Sequence, residues 1–269
     1  MEKQIIKTEP VLVKRFKELR SQPKESSLKL EFSSTFEDEG HREHLFQEAK
    51  KSFEFVFDKE NFIHYLQLEP NKESFNYLKQ IRRYGSILKA QFRFLDLSHQ
   101  CGEQLAEFLS LLGKFNDGYW ISPSQEIRVE ILAKLNNIDM SVNFIDTLGF
   151  KEYARSRLNY VETLLQNTEL TMVDFHSLRK GVRLFSNFLQ VEASENTTDG
   201  MHWLFYSIFK LQMELGKIHD DFVSKGLKGE IDYSKSVVKV PPRIKDEFFK
   251  IKPFIEKVYG LEEQKLHSL

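Results

Sequence analysis

Two stretches of this chain carry similar residues in the same order at the same spacing, and no other feature constrains the fold as strongly. One runs Phe75-Asn76-Tyr77-Leu78-Lys79, with Arg83 four residues on; the other runs Phe175-His176-Ser177-Leu178-Arg179, with Arg183, at an offset of 100 residues. Each is followed by a second match, Leu112-Gly113-Lys114-Phe115-Asn116-Asp117 and Leu215-Gly216-Lys217-Ile218-His219-Asp220, at an offset of 103. Paired matches in the same order imply two modules from an internal duplication, packed with approximate two-fold symmetry. Apolar residues recur three and four apart nearly throughout, which predicts helices. The expected fold class is therefore all-α, with two pseudo-symmetric four-helix bundles. A glycine inside a helix costs about 1 kcal/mol against alanine, so Gly113 and Gly216 are expected where a neighbouring helix approaches closely.

Individual helices follow from local signals. Pro10 opens one that runs to about Leu19. Another continues from Glu37-Asp38-Glu39 through Phe53, Phe57, Phe62 and Leu66, with a break at Asp58. Phe75, Leu78, Ile81, Leu88, Phe92 and Leu95 stripe a helix over 72–97, and Leu105, Phe108, Leu109 and Leu112 the next. Ser122-Pro123-Ser124-Gln125 predicts a capping-box start at Ser122. Further helices are expected over 141–166, from Thr171 with Asp174, over 203–225 and over 244–259, with 226–242 as a linker. The domain division expected is 1–36 for an N-terminal helix and polar loop, 37–140 for the first half and 141–269 for the second.

Twelve glycines and seven prolines in 269 residues are too few for a turn-rich β fold. One cysteine, Cys101, excludes an intrachain disulfide and a cysteine-based zinc cluster. The N-terminus lacks the uninterrupted apolar run of a secretory signal, and no segment approaches the ~18 apolar residues of a membrane span. A cytoplasmic, non-membrane protein is expected. The net charge of −1 gives no support to sequence-specific nucleic-acid binding. Charge is segregated instead: residues 31–60 hold nine acids and four bases, while Lys72, Lys79, Arg82, Arg83, Lys89 and Arg93 face only Glu73 over 72–95.

The segment His176-Ser-Leu-Arg179-Lys-Gly-Val-Arg183, followed by Leu211-Gln212-Met-Glu-Leu215-Gly216-Lys-Ile-His219-Asp220, resembles the second half of a CHAD domain, the conserved histidine α-helical domain. The first half is similar, and the resemblance covers roughly residues 40 to 260. It implies a duplicated helical architecture with basic residues lining a cavity between the halves. It also implies non-enzymatic binding of inorganic polyphosphate or a similar phosphate-rich anion, no cofactor, and association with polyphosphate granules. The chain departs from the family at Asn76, where a histidine is usual, and at Tyr84, Ser86, Leu184 and Ser186, where arginines are common. Asn116 likewise replaces an arginine, so the basic cavity is depleted.

His176, Arg179 and Arg183 stand at i, i+3 and i+7, which a helix presents along one face, and Asn76, Lys79 and Arg83 repeat the arrangement. The residues assigned to polyphosphate are Lys79, Arg82 and Arg83 in the first half and His176, Arg179, Lys180 and Arg183 in the second. Fixed bases gain charge-assisted contacts of ~1.5 to 3 kcal/mol each before screening. A protonated histidine would strengthen binding toward acid pH. Lys114, Lys210 and Lys217 supply supporting charge, with His219 beside them, and Asp117 and Asp220 are expected to hold neighbouring bases. The same bases also fit an ordinary solvated helix face.

Three other readings draw on the same residues. A diverged helical adaptor, its anion site lost, would bind a protein partner through the acidic 31–60 segment or the C-terminal helix. His219-Asp220 matches the doublet of metal-dependent phosphohydrolases, with His176 or His202 and Asp232 as further ligands. The other copy reads Asn116-Asp117, however, so the repeat explains the doublet better. His41 and His44, with Glu37 and Asp38 near, have a spacing that can bind a divalent metal on a helix, or can form an exposed acidic helix start.

Overall fold

The computed structural model describes residues 9–23, 32–120, 124–135 and 138–262. Among these the chain is mostly helical, with ten α-helices and two three-residue strands. It divides into two compact units, one holding residues up to Arg15 with Arg42–Ile145, the other Phe16–His41 with Asp146 onward. The division falls inside α1 (Val11–Leu19) and near the start of α2 (Glu39–Val56).

In the first unit α2 is followed by α3 (Lys59–Gln67), α4 (Lys72–Leu95), α5 (Glu103–Gly118) and α6 (Gln125–Lys134). The break between α2 and α3 falls at Asp58, whose carboxylate accepts the Asn61 N–H at 2.8 Å and caps α3. Asn71 caps α4 in the same way through Ser74 N–H at 2.9 Å. Helix α5 packs on α4 and α6, and α3 on the same two. Their apolar stripes close over Phe62, Phe108, Leu78, Ile81, Leu88 and Leu112, all fully buried. Burial of this kind gives roughly 1.5–3 kcal/mol per large side chain and supplies most of the cohesion of a helical unit.

The second unit contains α7 (Thr147–Gln166), β1 (Glu169–Thr171), α8 (Met172–Glu195), α9 (Asp199–Leu227), β2 (Val237–Lys239) and α10 (Pro242–Val258). Thr171 caps α8: its hydroxyl accepts the Asp174 N–H at 3.1 Å and donates to the Asp174 carboxylate at 2.8 Å. Helix α8 packs between α7 and α9, and α10 packs on α7 and α9. Phe36, Phe150, Phe188 and Tyr259 form an aromatic core with ring centroids 4.9–6.0 Å apart. These edge-on, tilted and stacked pairs add to the plain burial of the rings.

Three boundaries differ from the sequence-based expectation. Helix α6 is capped by Ser124, whose hydroxyl accepts the Ile127 N–H at 3.3 Å, and not by Ser122; Ser122 and Pro123 lie outside the described residues. The helix expected from Ser141 begins only at Thr147, capped by Asp146. The preceding residues are held extended by two carboxylates: Asp139 accepts the Ser141 N–H at 2.8 Å and Asp96 the Asn143 N–H at 2.9 Å. Side-chain bonds of this sort compete directly with helix formation. The 226–242 segment, expected as a linker, contains β2, which pairs antiparallel with β1 in the register Leu170 opposite Val238.

Of the two glycines expected at close helix contacts, Gly113 faces Arg82 of α4 and Gly216 faces open space, and two other glycines are more tightly enclosed. A Cβ on Gly181 would stand 2.6 Å from Val161 Cγ2, where α7 meets α8, and one on Gly85 would overlap the Leu109 side chain, where α5 meets α4. Among the described residues no helix is long and apolar enough to cross a membrane.

Candidate functional site

Helix α8 buries Phe175, Leu178, Val182, Phe185 and Leu189. That 3.6-residue stripe leaves His176, Arg179 and Arg183 on its half-buried flank and Lys180 exposed. Short connection through Asn196–Thr198 sends α9 back along α8, so His176 near the start of α8 meets His219 near the end of α9. The two rings lie 5.5 Å apart at 35°. The outer side of His219 is fixed by two contacts: Nδ1 with the Asp220 carboxylate at 3.1 Å and Nε2 with the Tyr233 hydroxyl at 3.3 Å. A proton on Nδ1, with Tyr233 donating to Nε2, satisfies both.

His176 differs from its neighbour. It makes no hydrogen bond to any described residue, and its ring contact is with His219. Burial, followed by the charges of Lys180, His219, Arg179 and Arg183, pushes its pKa down to about 4. At neutral pH it is uncharged, so the extra positive charge expected of this histidine is absent there. Arg179 and Lys180 form no hydrogen bond or ion pair with a described residue. Lys210 and Lys217 on α9 are exposed and likewise make no ion pair among the described residues.

Opposite this row, Gln212, Gly216 and His219 stand at i, i+4 and i+7 on α9 and share one face. Counting seven residues from the His176–His219 contact along both helices brings Arg183 level with Gln212. Gln212 Oε1 is buried and accepts no hydrogen bond. A Cβ built on Gly216 would meet no described heavy atom within 4 Å. Gly216 therefore does not mark the close helix contact expected of it. It leaves the α9 backbone bare beside the α8 cations.

The matching residues of the first unit are arranged otherwise. Arg82 Nη1 lies 3.0 Å from the Asp117 carboxylate, and the guanidinium covers Gly113, where a Cβ would be 3.1 Å from Nη2. The neighbour that Gly113 accommodates is thus an arginine side chain. Lys79 is exposed, with its ammonium 5.4 Å from the Phe75 ring centroid. Asn76 and Lys114 are exposed, while Arg83 is half-buried and burial lowers its pKa. Asn116 is buried, and neither end of its amide has a hydrogen-bond partner.

Asp232 and His41, two of the residues nominated for metal chemistry, are engaged elsewhere. Among the described residues no group of three or more His, Cys, Asp or Glu is placed to hold a metal ion. Asp232 binds the Ser234 N–H and hydroxyl at 3.1 and 2.7 Å, which caps the 3₁₀ turn Tyr233–Lys235. His41 Nε2 lies 2.6 Å from Glu192 Oε2. Glu192 is 1% exposed and its hydrogen bond raises the His41 pKa, so His41 is tied into the interior of the second unit.

Tyr233 and Gln212 were not singled out in the sequence. The helical spacing of Gln212, Gly216 and His219 could have found Gln212; nothing local marks Tyr233, which reaches His219 from a segment read as a linker. Comparison with protein-family models, with curated proteins and with solved structures finds no match to this chain.

Proposed function

We propose that this chain is a CHAD-like protein built on a duplicated helical unit, and that it binds inorganic polyphosphate or another phosphate-rich anion without transforming it. The duplication is supported by two helices of 24 residues, α4 and α8, which start at Lys72 and Met172 and so keep the 100-residue offset of the repeat. The anion reading rests above all on the α8–α9 face of the second unit. There Arg179 and Lys180 have no acidic partner among the described residues, around a histidine that burial, with these cations, keeps uncharged.

Like charges placed side by side without carboxylates raise the energy of the free protein, and a polyanion relieves it. Each charge-assisted contact is worth ~1.5 to 3 kcal/mol before screening, and the planar fork of Arg179 suits two phosphate oxygens. The first unit adds less, because Asp117 already neutralises Arg82. The reading places the protein in the cytoplasm, where polyphosphate granules would be accessible to it.

Calorimetric titration of the full chain with medium-chain polyphosphate over a range of salt concentrations tests this. Binding that weakens steeply with salt and drops on Arg179→Ala is expected. Absence of binding at low salt would remove the reading. It would leave the protein-adaptor alternative, which the self-neutralised Arg82 and the exposed Trp120 and Val129 of the first unit favour.

A further inference from the structure

We infer that the α8–α9 face of the second unit takes the terminal phosphate of a chain and not its interior units, with His176 accepting a hydrogen bond from the O–H that a terminal phosphate carries near neutrality. This rests on the anion-binding reading above and specifies which part of the polymer is read. The argument starts from an unmet requirement. A neutral imidazole offers one N–H donor and one nitrogen lone pair, and His176 finds no hydrogen-bond partner for either among the described residues.

The groups around His176 are known from each side. Its own helix contributes Arg179, Lys180 and Arg183; α9 contributes His219, with Asp220 behind it; the 3₁₀ turn contributes Tyr233, which is turned to His219. Arg179, Lys180 and Arg183 bring positive charge to His176, while the Asp220 carboxylate bonds His219. The site is therefore short of negative charge and has a spare hydrogen-bond acceptor.

Interior units of polyphosphate have given up their single acidic proton at neutral pH and offer only acceptors. A terminal unit resembles a phosphomonoester, whose second ionisation lies near pH 6, about where a protonated and a dianionic form coexist. Its O–H donates to the free His176 nitrogen while its charged oxygens meet Arg179 and Lys180. The O–H bond stays intact, and His176 remains neutral as the acceptor. The open backbone at Gly216 gives a compact group room. The row from His176 to Arg183 spans only about 10 Å of helix, suited to a few phosphate units.

The test compares linear tripolyphosphate with cyclic tetrametaphosphate, which is similar in charge near neutral pH and has no chain ends, by calorimetry on the full chain. Tripolyphosphate is expected to bind at least about tenfold tighter, because a site built around a hydrogen bond rejects a ligand that cannot make it. His176→Ala should bring the two affinities together, and His176→Phe, which keeps a ring against His219, should do the same if the alanine variant folds poorly. Arg179→Ala should weaken both ligands by similar factors. Equal affinity of the unmodified protein for the linear and cyclic ligands, with loss of both on Arg179→Ala, overturns chain-end selection and leaves anion binding intact. Failure of both to bind at low salt overturns both claims.

Discussion

The first unit covers Gly113 with its own arginine, which Asp117 holds in place, whereas the second leaves Gly216 open, on a helix packed against the one carrying Arg179 and Lys180, which have no acidic partner among the described residues. At the position corresponding to Arg82, 100 residues on, the second unit has Val182, which is buried in the core stripe of α8. One residue type thus decides whether the groove between paired helices is filled from within or left for a ligand. Counting basic residues cannot separate these cases. What distinguishes them is whether an acid of the same fold already satisfies each base.

The second unit also contains two histidines treated in opposite ways. His41 is given a buried carboxylate, Glu192, and its pKa is raised; His176 is given cations, and its pKa falls. His41→Ala should therefore cost stability, by about 1–3 kcal/mol, since it removes a hydrogen-bond partner from the buried Glu192 carboxylate. His176→Ala should cost less than about 1 kcal/mol. A histidine with a raised pKa contributes stability that is full below its unfolded value and is lost as pH rises through its folded value. Thermal melts of the unmodified protein should thus lose that contribution as pH rises past the ordinary histidine range, and the His41→Ala variant should lack this component. Equal destabilisation by the two substitutions would break the distinction.

Smaller effects are expected at the glycines. Gly181→Ala forces a methyl against Val161 and should destabilise by about 1–3 kcal/mol. Gly216→Ala meets open space and should instead stabilise by up to about 1 kcal/mol through helix propensity, while its methyl weakens anion binding. Denaturant melts and calorimetry on the two variants check this. Destabilisation by Gly216→Ala would mean that the groove is closed.

Much of the helical layout was legible because it is written locally. Pro10, Asp58 and Thr171 with Asp174 mark helix starts within a turn of where they occur, and the stripe through Phe175, Leu178 and Val182 sets which flank carries His176 and Arg179. The parts that were not legible depend on partners distant in sequence. Glu192 reaches His41 across 151 residues, and the strands β1 and β2 are too short, at three residues each, to show alternation. The two glycines of the repeat look identical in sequence; only Arg82, with Val182 at the corresponding position, separates their environments.

Two matched pairs of substitutions test the account most directly. Affinity of the full chain for medium-chain polyphosphate would be measured across a salt series for Arg179→Ala with Lys180→Ala on α8, and for Lys79→Ala with Arg82→Ala on α4. Loss of two charge-assisted contacts predicts that the α8 pair lowers affinity about a hundredfold and flattens the salt dependence, while the α4 pair lowers it less than about threefold. An α4 pair that weakens binding as much as the α8 pair, or an α8 pair without effect, would contradict the assignment of the site to the second unit.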